Sequence, residues 1–284
     1  MFEVGLSTNG SGPIIEVTKA GGKAGIKYIE LFMSRNDWQD FDLVSYHRLA
    51  EDCGVNVRSY HLPFWPDRDL SSADKAMRKE TIEAHAELIA RGVAHGTRIF
   101  TVHPGAEPIA DEERRLRLEN AKESLSFLAD IAEREGAVLA VEDLPRSCPG
   151  HNSREMLEIL SCDGRLRSCL DTNHILYESL YDYIDAVGDK IINTHISDYD
   201  LVNERHFLPG EGKVDWQIVI RKLKDHGYTG PWLYEINARS AEGVGGRMYT
   251  AEDIMRNALE IFDGKKPSLL RNGIWTNDAL SLSE

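Results

Sequence analysis

The chain has 284 residues, a net charge of -14 and a pI near 5.2. Such a balance repels polyanions, and no Lys/Arg run marks a surface that tracks phosphates, so nucleic acid is not an expected partner. Hydrophobic residues at 42% and charged residues at 28% suit a globular protein with one large core, and no apolar run reaches the ~20 residues that span a bilayer.

The opening stretch MFEVGLSTNG has neither the basic region nor the apolar segment of a secretory leader. Cys53, Cys148, Cys162 and Cys169 form no C-x-x-C pair, so free thiols in a reducing cytoplasm are expected. Short apolar runs rich in β-branched residues follow one another at 2–6, 26–32, 55–61, 98–103, 138–142, 166–171, 191–196 and 232–236. Buried parallel strands read as near-continuous apolar runs of this length. Between them lie amphipathic stretches. In 73–92, Met77, Ile82, His85, Leu88 and Ile89 fall largely on one helical face; in 116–135, Leu118, Ala121, Leu125, Leu128 and Ile131 do the same. Gly54, Gly92, Gly136 and Gly227 stand where helix stops are expected.

Eight strands alternating with helices predict a parallel sheet, closed into a barrel or open and doubly wound. No Pro/Ser/Gly-rich linker divides the chain, so residues 1–264 are read as one domain. Residues 265–284 form an extension whose Leu269, Leu270, Ile274 and Trp275 are expected to pack on the barrel or on a partner subunit of a homo-oligomer.

The chemistry is concentrated where strands end. His61, His103, Glu142, Asp171, His195 and Glu235 each close a predicted strand, and in a closed parallel barrel those ends converge on one face. Burying so many ionisable groups together costs several kcal/mol per uncompensated charge, roughly, and a cation is the simplest compensation. Mixed nitrogen and carboxylate ligands suit Zn, Mn, Co or Fe(II) better than Ca. His174 lies about one turn beyond Asp171. The loop SDYDLVNERHFLPGEGKVDW after His195 adds Arg205 and His206 as substrate-binding candidates, with Asp198, Asp200, Glu204 and Glu211 nearby. Asp215 reads as a helix cap, and Trp65 as either an apolar face or a core residue. Glu30, inside the second strand, is open between a site role and a core ion pair. His47, His85, His95, His151 and His226 lie away from strand ends and are read as structural or surface residues.

The segments YHLPF, VHPG, VED, CLDTNH, THISDYD, RHFLPGEGKVDW and YEI, taken in order, resemble the xylose isomerase-like TIM-barrel superfamily. This superfamily includes sugar-phosphate isomerases and epimerases as well as the family 2 AP endonucleases. The resemblance runs from the first strand to the eighth. It implies a single-domain (β/α)8 TIM barrel and one divalent metal ion (Zn, Mn, Co or Mg) held by Glu142, Asp171, His195 and Glu235. It also implies Glu142 and Glu235 as acid and base and His174 toward the substrate; His61, His103, Arg205, His206 and Trp65, which is either a face for a sugar ring or a core residue, are the further substrate-binding candidates. The expected activity is isomerisation or epimerisation of a sugar, sugar phosphate or cyclitol by proton transfer through a metal-stabilised enediolate. Cys148 stands where the ketose epimerases have a second substrate-binding Glu, and Leu201 where they have an Arg; Arg205 is a substitute from further along the loop. The endonuclease branch implies an alternative: a hydrolase or lyase with additional zinc ions, using His61 and His103 with Glu142 for one and His174, Glu204 and His206 for another.

Overall fold

The computed structural model describes residues 1–237, 249–271 and 274–276. Eight strands, β1 (Val4–Ser7), β2 (Tyr28–Leu31), β3 (Asn56–His61), β4 (Ile99–Val102), β5 (Val138–Glu142), β6 (Arg167–Asp171), β7 (Ile191–His195) and β8 (Trp232–Tyr234), pair in parallel. Each lies within a run expected from sequence or one residue beyond its end. Neighbours follow chain order from β1 to β7, and β8 returns to pair with β1. The ring closes where Ile196 bridges to Tyr234, with Ile196 N donating to the Leu233 carbonyl at 2.7 Å and Glu235 N to the Ile196 carbonyl at 3.2 Å. The fold is a (β/α)8 barrel and a single domain.

A helix follows every strand: α1 (Ile14–Ala24), α2 (Leu43–Asp52), α3 (Lys75–Ala94), α4 (Arg114–Glu135), α5 (Ser153–Ser161), α6 (Leu180–Val187), α7 (Trp216–Asp225) and α8 (Ala251–Phe262). Helices cover the outer face of the sheet and side chains fill its interior, so both strand faces are buried; this is why the strands read as apolar runs rather than alternating ones. Asp215 caps α7, accepting from Gln217 N at 3.0 Å and Ile218 N at 3.3 Å, as its position suggested. Gly136 ends α4 at a φ of 72°. Gly92 is not the stop expected of it. The helix runs on to Ala94, and Gly92 instead lies tight against the sheet: a Cβ there would lie 2.8 Å from the Phe100 ring.

The barrel interior is partly polar. Glu30, Ser59, Thr101 and Asn193, all fully buried, form one hydrogen-bonded layer beneath the C-terminal ends of the strands. The four cysteines are unpaired. No described helix is long and apolar enough to cross a membrane. Past α8, Ser268 bonds to Glu260 through its backbone N and its hydroxyl, and Pro267 lies against Gly210. A short antiparallel hairpin, β9 (Leu269–Arg271) and β10 (Ile274–Thr276), follows. The side-chain packing expected of Leu269, Leu270, Ile274 and Trp275, and all of 277–284, lie outside what is described.

Candidate metal centre at the barrel mouth

Strand geometry delivers the site. Glu142, Asp171 and His195 are the last residues of β5, β6 and β7, and Glu235 follows the last residue of β8. One ligand-type atom from each lies within 4.8 Å of the others, and all four residues are buried. His195 Nδ1 is 2.9 Å from Glu235 Oε2, 3.2 Å from Glu142 Oε1 and 3.9 Å from Asp171 Oδ2. Ligands ~2.1 Å from a common ion stand about 3–4 Å apart, so this spacing suits one coordination sphere.

Each carboxylate commits one oxygen to protein donors and turns the other inward. Glu235 Oε1 accepts from Asn9 Nδ2 at 2.8 Å and Ser7 Oγ at 3.4 Å. Asp171 Oδ1 accepts from Asn173 N at 2.8 Å. Glu142 Oε2 meets His61 Nε2 at 3.0 Å and His103 Nε2 at 3.3 Å. On the inward side, Asp171 Oδ2 and His195 Nδ1 are fully buried with no hydrogen-bond partner. Buried polar atoms are rarely left so, because each forfeits its hydration. Three carboxylates and one imidazole, with Asp171 Oδ2 and His195 Nδ1 turned inward and orphaned, are a donor set that fits a divalent cation.

The remaining expected residues form a second tier. His61 and His103 share Glu142 with the inner cluster. On the other flank, Asp171, His174 and His206 bring ligand atoms within 4.8 Å of one another. Glu204 adds Oε1 at 3.1 Å from His206 Nε2 and 3.8 Å from His174 Nε2. Asn173 Oδ1 holds this flank by accepting from the backbone N of Arg205 and of His206. Burial disfavours charge on His174 and His195, but the acidic groups around them override it and hold both well above the ordinary imidazole range. Glu235 is likewise pushed up by burial, and His195 beside it more than offsets this, leaving its carboxyl below the usual range.

Two candidates sit further out. The Arg205 guanidinium is paired with Asp200 at 2.8 Å within its own loop. Trp65 is half-buried against the core. It is Phe64, its neighbour, that stacks on His103, with ring centroids 4.2 Å apart, and leans on His61 at 4.8 Å. Phe32 meets both His61 and Phe64, completing an aromatic wall. Sequence reading also missed Asn9, which reaches Glu235, and Arg146, which joins Glu107 and Glu204 across the mouth. Asp198, fully buried, is a staple for its loop: it accepts from Tyr199 N, Gly210 N, Val214 N and Trp216 Nε1.

A family model of the xylose isomerase-like TIM barrel matches residues 19–264. The chain belongs to that family. Among proteins similar to this chain, the fructoselysine 3-epimerase of Escherichia coli O157:H7 is 34% identical over 120 residues, 40% of this chain and 44% of that protein. A probable endonuclease 4 of Thermoplasma acidophilum is 29% identical over 170 residues, 53% of this chain and 57% of that protein. Both are therefore matched over less than two thirds of their length. A solved structure of D-psicose 3-epimerase in the presence of D-fructose has a TM-score of 0.76 over 96% of this chain and 100% of that one; at 18% identity the likeness is one of fold.

Proposed function

We propose that this chain is a divalent-cation-dependent isomerase or epimerase acting on a sugar or sugar derivative. The observation that carries this reading is the pair Glu142 and Glu235. Both carboxylates reach the same imidazole nitrogen from different strands, and each has its second oxygen anchored elsewhere. Glu142, Asp171, His195 and Glu235 would hold the ion. When bound, the ion supplies positive charge that acidifies a C–H beside a sugar carbonyl.

One glutamate then takes that proton, and the other returns one to the same or the neighbouring carbon. A proton returned to the other face of the same carbon gives an epimer. One delivered to the former carbonyl carbon gives an isomer. Each positioned acid or base contributes roughly 10²–10⁴ in rate. His61 and His103 orient Glu142, and Asn9 orients Glu235. The aromatic wall of Phe32 and Phe64 limits water on one side. A hollow of about 860 Å³ lined by Thr8, Asn9, Phe32, Ser34, Asn36 and Asp40 leaves room for the rest of the substrate. His174, His206 and Arg205 are the residues we assign to its polar groups. The part-length likeness to a fructoselysine 3-epimerase supports this reaction class.

Incubation with a panel of ketoses, their phosphates and cyclitol ketones in D2O tests it. Deuterium is expected at the carbon beside the carbonyl for at least one of them. A panel with no incorporation would contradict the reading.

A second reading, a hydrolase with a multinuclear zinc site, is favoured by the outer histidines. His61 Nδ1 donates to the Leu62 carbonyl at 2.9 Å and His174 Nδ1 to the Asp143 carbonyl at 2.8 Å. Their Nε2 atoms therefore face Glu142, Asp171 and Glu204, where giving up a proton would let them serve as ligands of further ions. The likeness to a probable endonuclease 4 points the same way, whereas the net charge of -14 opposes a DNA substrate. Three zinc equivalents per chain together with cleavage of abasic DNA would favour this second reading over the first.

A further inference from the structure

An imidazole that holds an ion must present a lone pair to it, so its proton has to sit on the other nitrogen. For three histidines at the mouth a backbone carbonyl decides this. Carbonyls of Leu62, Asp143 and Glu235 accept from Nδ1 of His61, His174 and His206. A carbonyl can only accept, so Nε2 is left for the site whatever the side chains do. The ring of His195 is arranged the other way round and depends on a side chain. Its Nε2 lies 2.6 Å from Glu30 Oε1, and its Nδ1 faces the inner carboxylates.

Glu30 is fully buried inside the barrel. Its second oxygen accepts from Ser59 Oγ at 2.7 Å, Thr101 Oγ1 at 2.8 Å and Asn193 Nδ2 at 2.8 Å. Asn193 Nδ2 also reaches both hydroxyl oxygens, at 3.4 Å and 3.2 Å, so those hydroxyls turn their own protons to Glu30. An oxygen taking three donors carries no proton. The other oxygen is then an acceptor for His195, held at a fixed point by groups from β3, β4 and β7.

We propose that Glu30 is a positioning residue that keeps the proton of His195 on Nε2 and so selects Nδ1 as the nitrogen that meets the ion. This rests on the cation-dependent reading above. Outer partners of metal-bound histidines typically affect metal affinity 10–100-fold. Glu30→Gln conserves size but inverts the choice. Ser59, Thr101 and Asn193 claim the amide oxygen, the amide NH2 then points at His195 Nε2, and the ring proton moves to Nδ1, where it blocks the ion.

The test is zinc binding to chelator-stripped protein by calorimetry, together with 15N spectra of the His195 ring. Wild type loaded with Zn2+ should carry its proton on Nε2. Folded Glu30→Gln should bind zinc roughly 10–100-fold more weakly and show the Nδ1–H form. Wild-type zinc affinity in a folded Glu30→Gln, or a zinc-loaded wild type with the proton on Nδ1, would overturn the role of Glu30 alone. Failure of wild type to bind zinc or Mn2+ at all would instead overturn the reading of the site. Should Glu30→Gln not fold, the spectrum of zinc-loaded wild type decides the matter by itself.

Discussion

Two groups of histidines occupy this barrel, one at the mouth and one away from it, and burial does not distinguish them. His85 is as buried as His61, yet its Nε2 donates to the Pro63 carbonyl, and burial pushes its pKa down to about 4. His47 stacks on His95 with ring centroids 5.0 Å apart and also falls to about 4, through burial first and the neighbouring imidazole second. At the mouth, burial works in the same direction on His61, His174 and His206. There, Glu142, Asp171 and Glu204 respectively override it and raise all three. His103 is the exception, since burial still wins over Glu142. What separates His61, His174 and His206 from His85 and His47 is thus a carboxylate faced inside the mouth, not burial by itself; His226 also meets a carboxylate, Asp189, but on the exposed surface.

The sharpest way to break this contrast is to compare substitutions of equal burial. Glu142→Gln and Glu235→Gln should each lower proton-exchange turnover by roughly 10²–10⁴, while His85→Gln, which can still donate to the Pro63 carbonyl, should leave it unchanged. Equal losses from all three would put the difference between the two groups elsewhere. Chelation comes next. An ion present at about 100 times its Kd stabilises by ~2.7 kcal/mol, so stripping should lower Tm by a few degrees, reversed on adding Zn2+ or Mn2+.

A pH series separates the groups more finely. The folded state keeps His85 neutral down to about pH 4, whereas the unfolded chain takes up that proton near the ordinary value of 6.5. Between these values the unfolded state binds more protons, so His85 makes stability fall as pH drops from 6.5 to 4. His85→Gln should therefore show a shallower loss of Tm over that window than wild type. The smallest effect belongs to the aromatic wall. Phe64→Leu should cost about 0.5–1.5 kcal/mol of stability through the lost stacking on His103, read by chemical denaturation.

The strands were legible because both faces of each are buried, so apolar runs mark them to within two residues at most ends. Glutamate, aspartate and histidine at the close of those runs then stood out against apolar sequence, and barrel closure brings them together. Gly92 misled because a helix stop and a close helix–sheet contact both call for glycine, and only the packing against Phe100 tells them apart. Asn9 and Arg146 sit in loops, where periodicity carries no signal, and their partners Glu235 and Glu204 lie far along the chain. Phe64 and Trp65 are adjacent, so which ring covers His103 depends on the turn of one peptide unit. Glu30 was ambiguous because its partners come from three other strands, and register across a barrel is set by closure rather than by any local pattern.

Titration of zinc or Mn2+ into chelator-stripped wild type and into Asp171→Ala tests the shared cation most directly. At least one ion per chain should bind wild type at the mouth and raise its Tm, and Asp171→Ala should lose that site. A wild type that binds neither metal, or an Asp171→Ala protein that binds with unchanged stoichiometry and affinity, would contradict it.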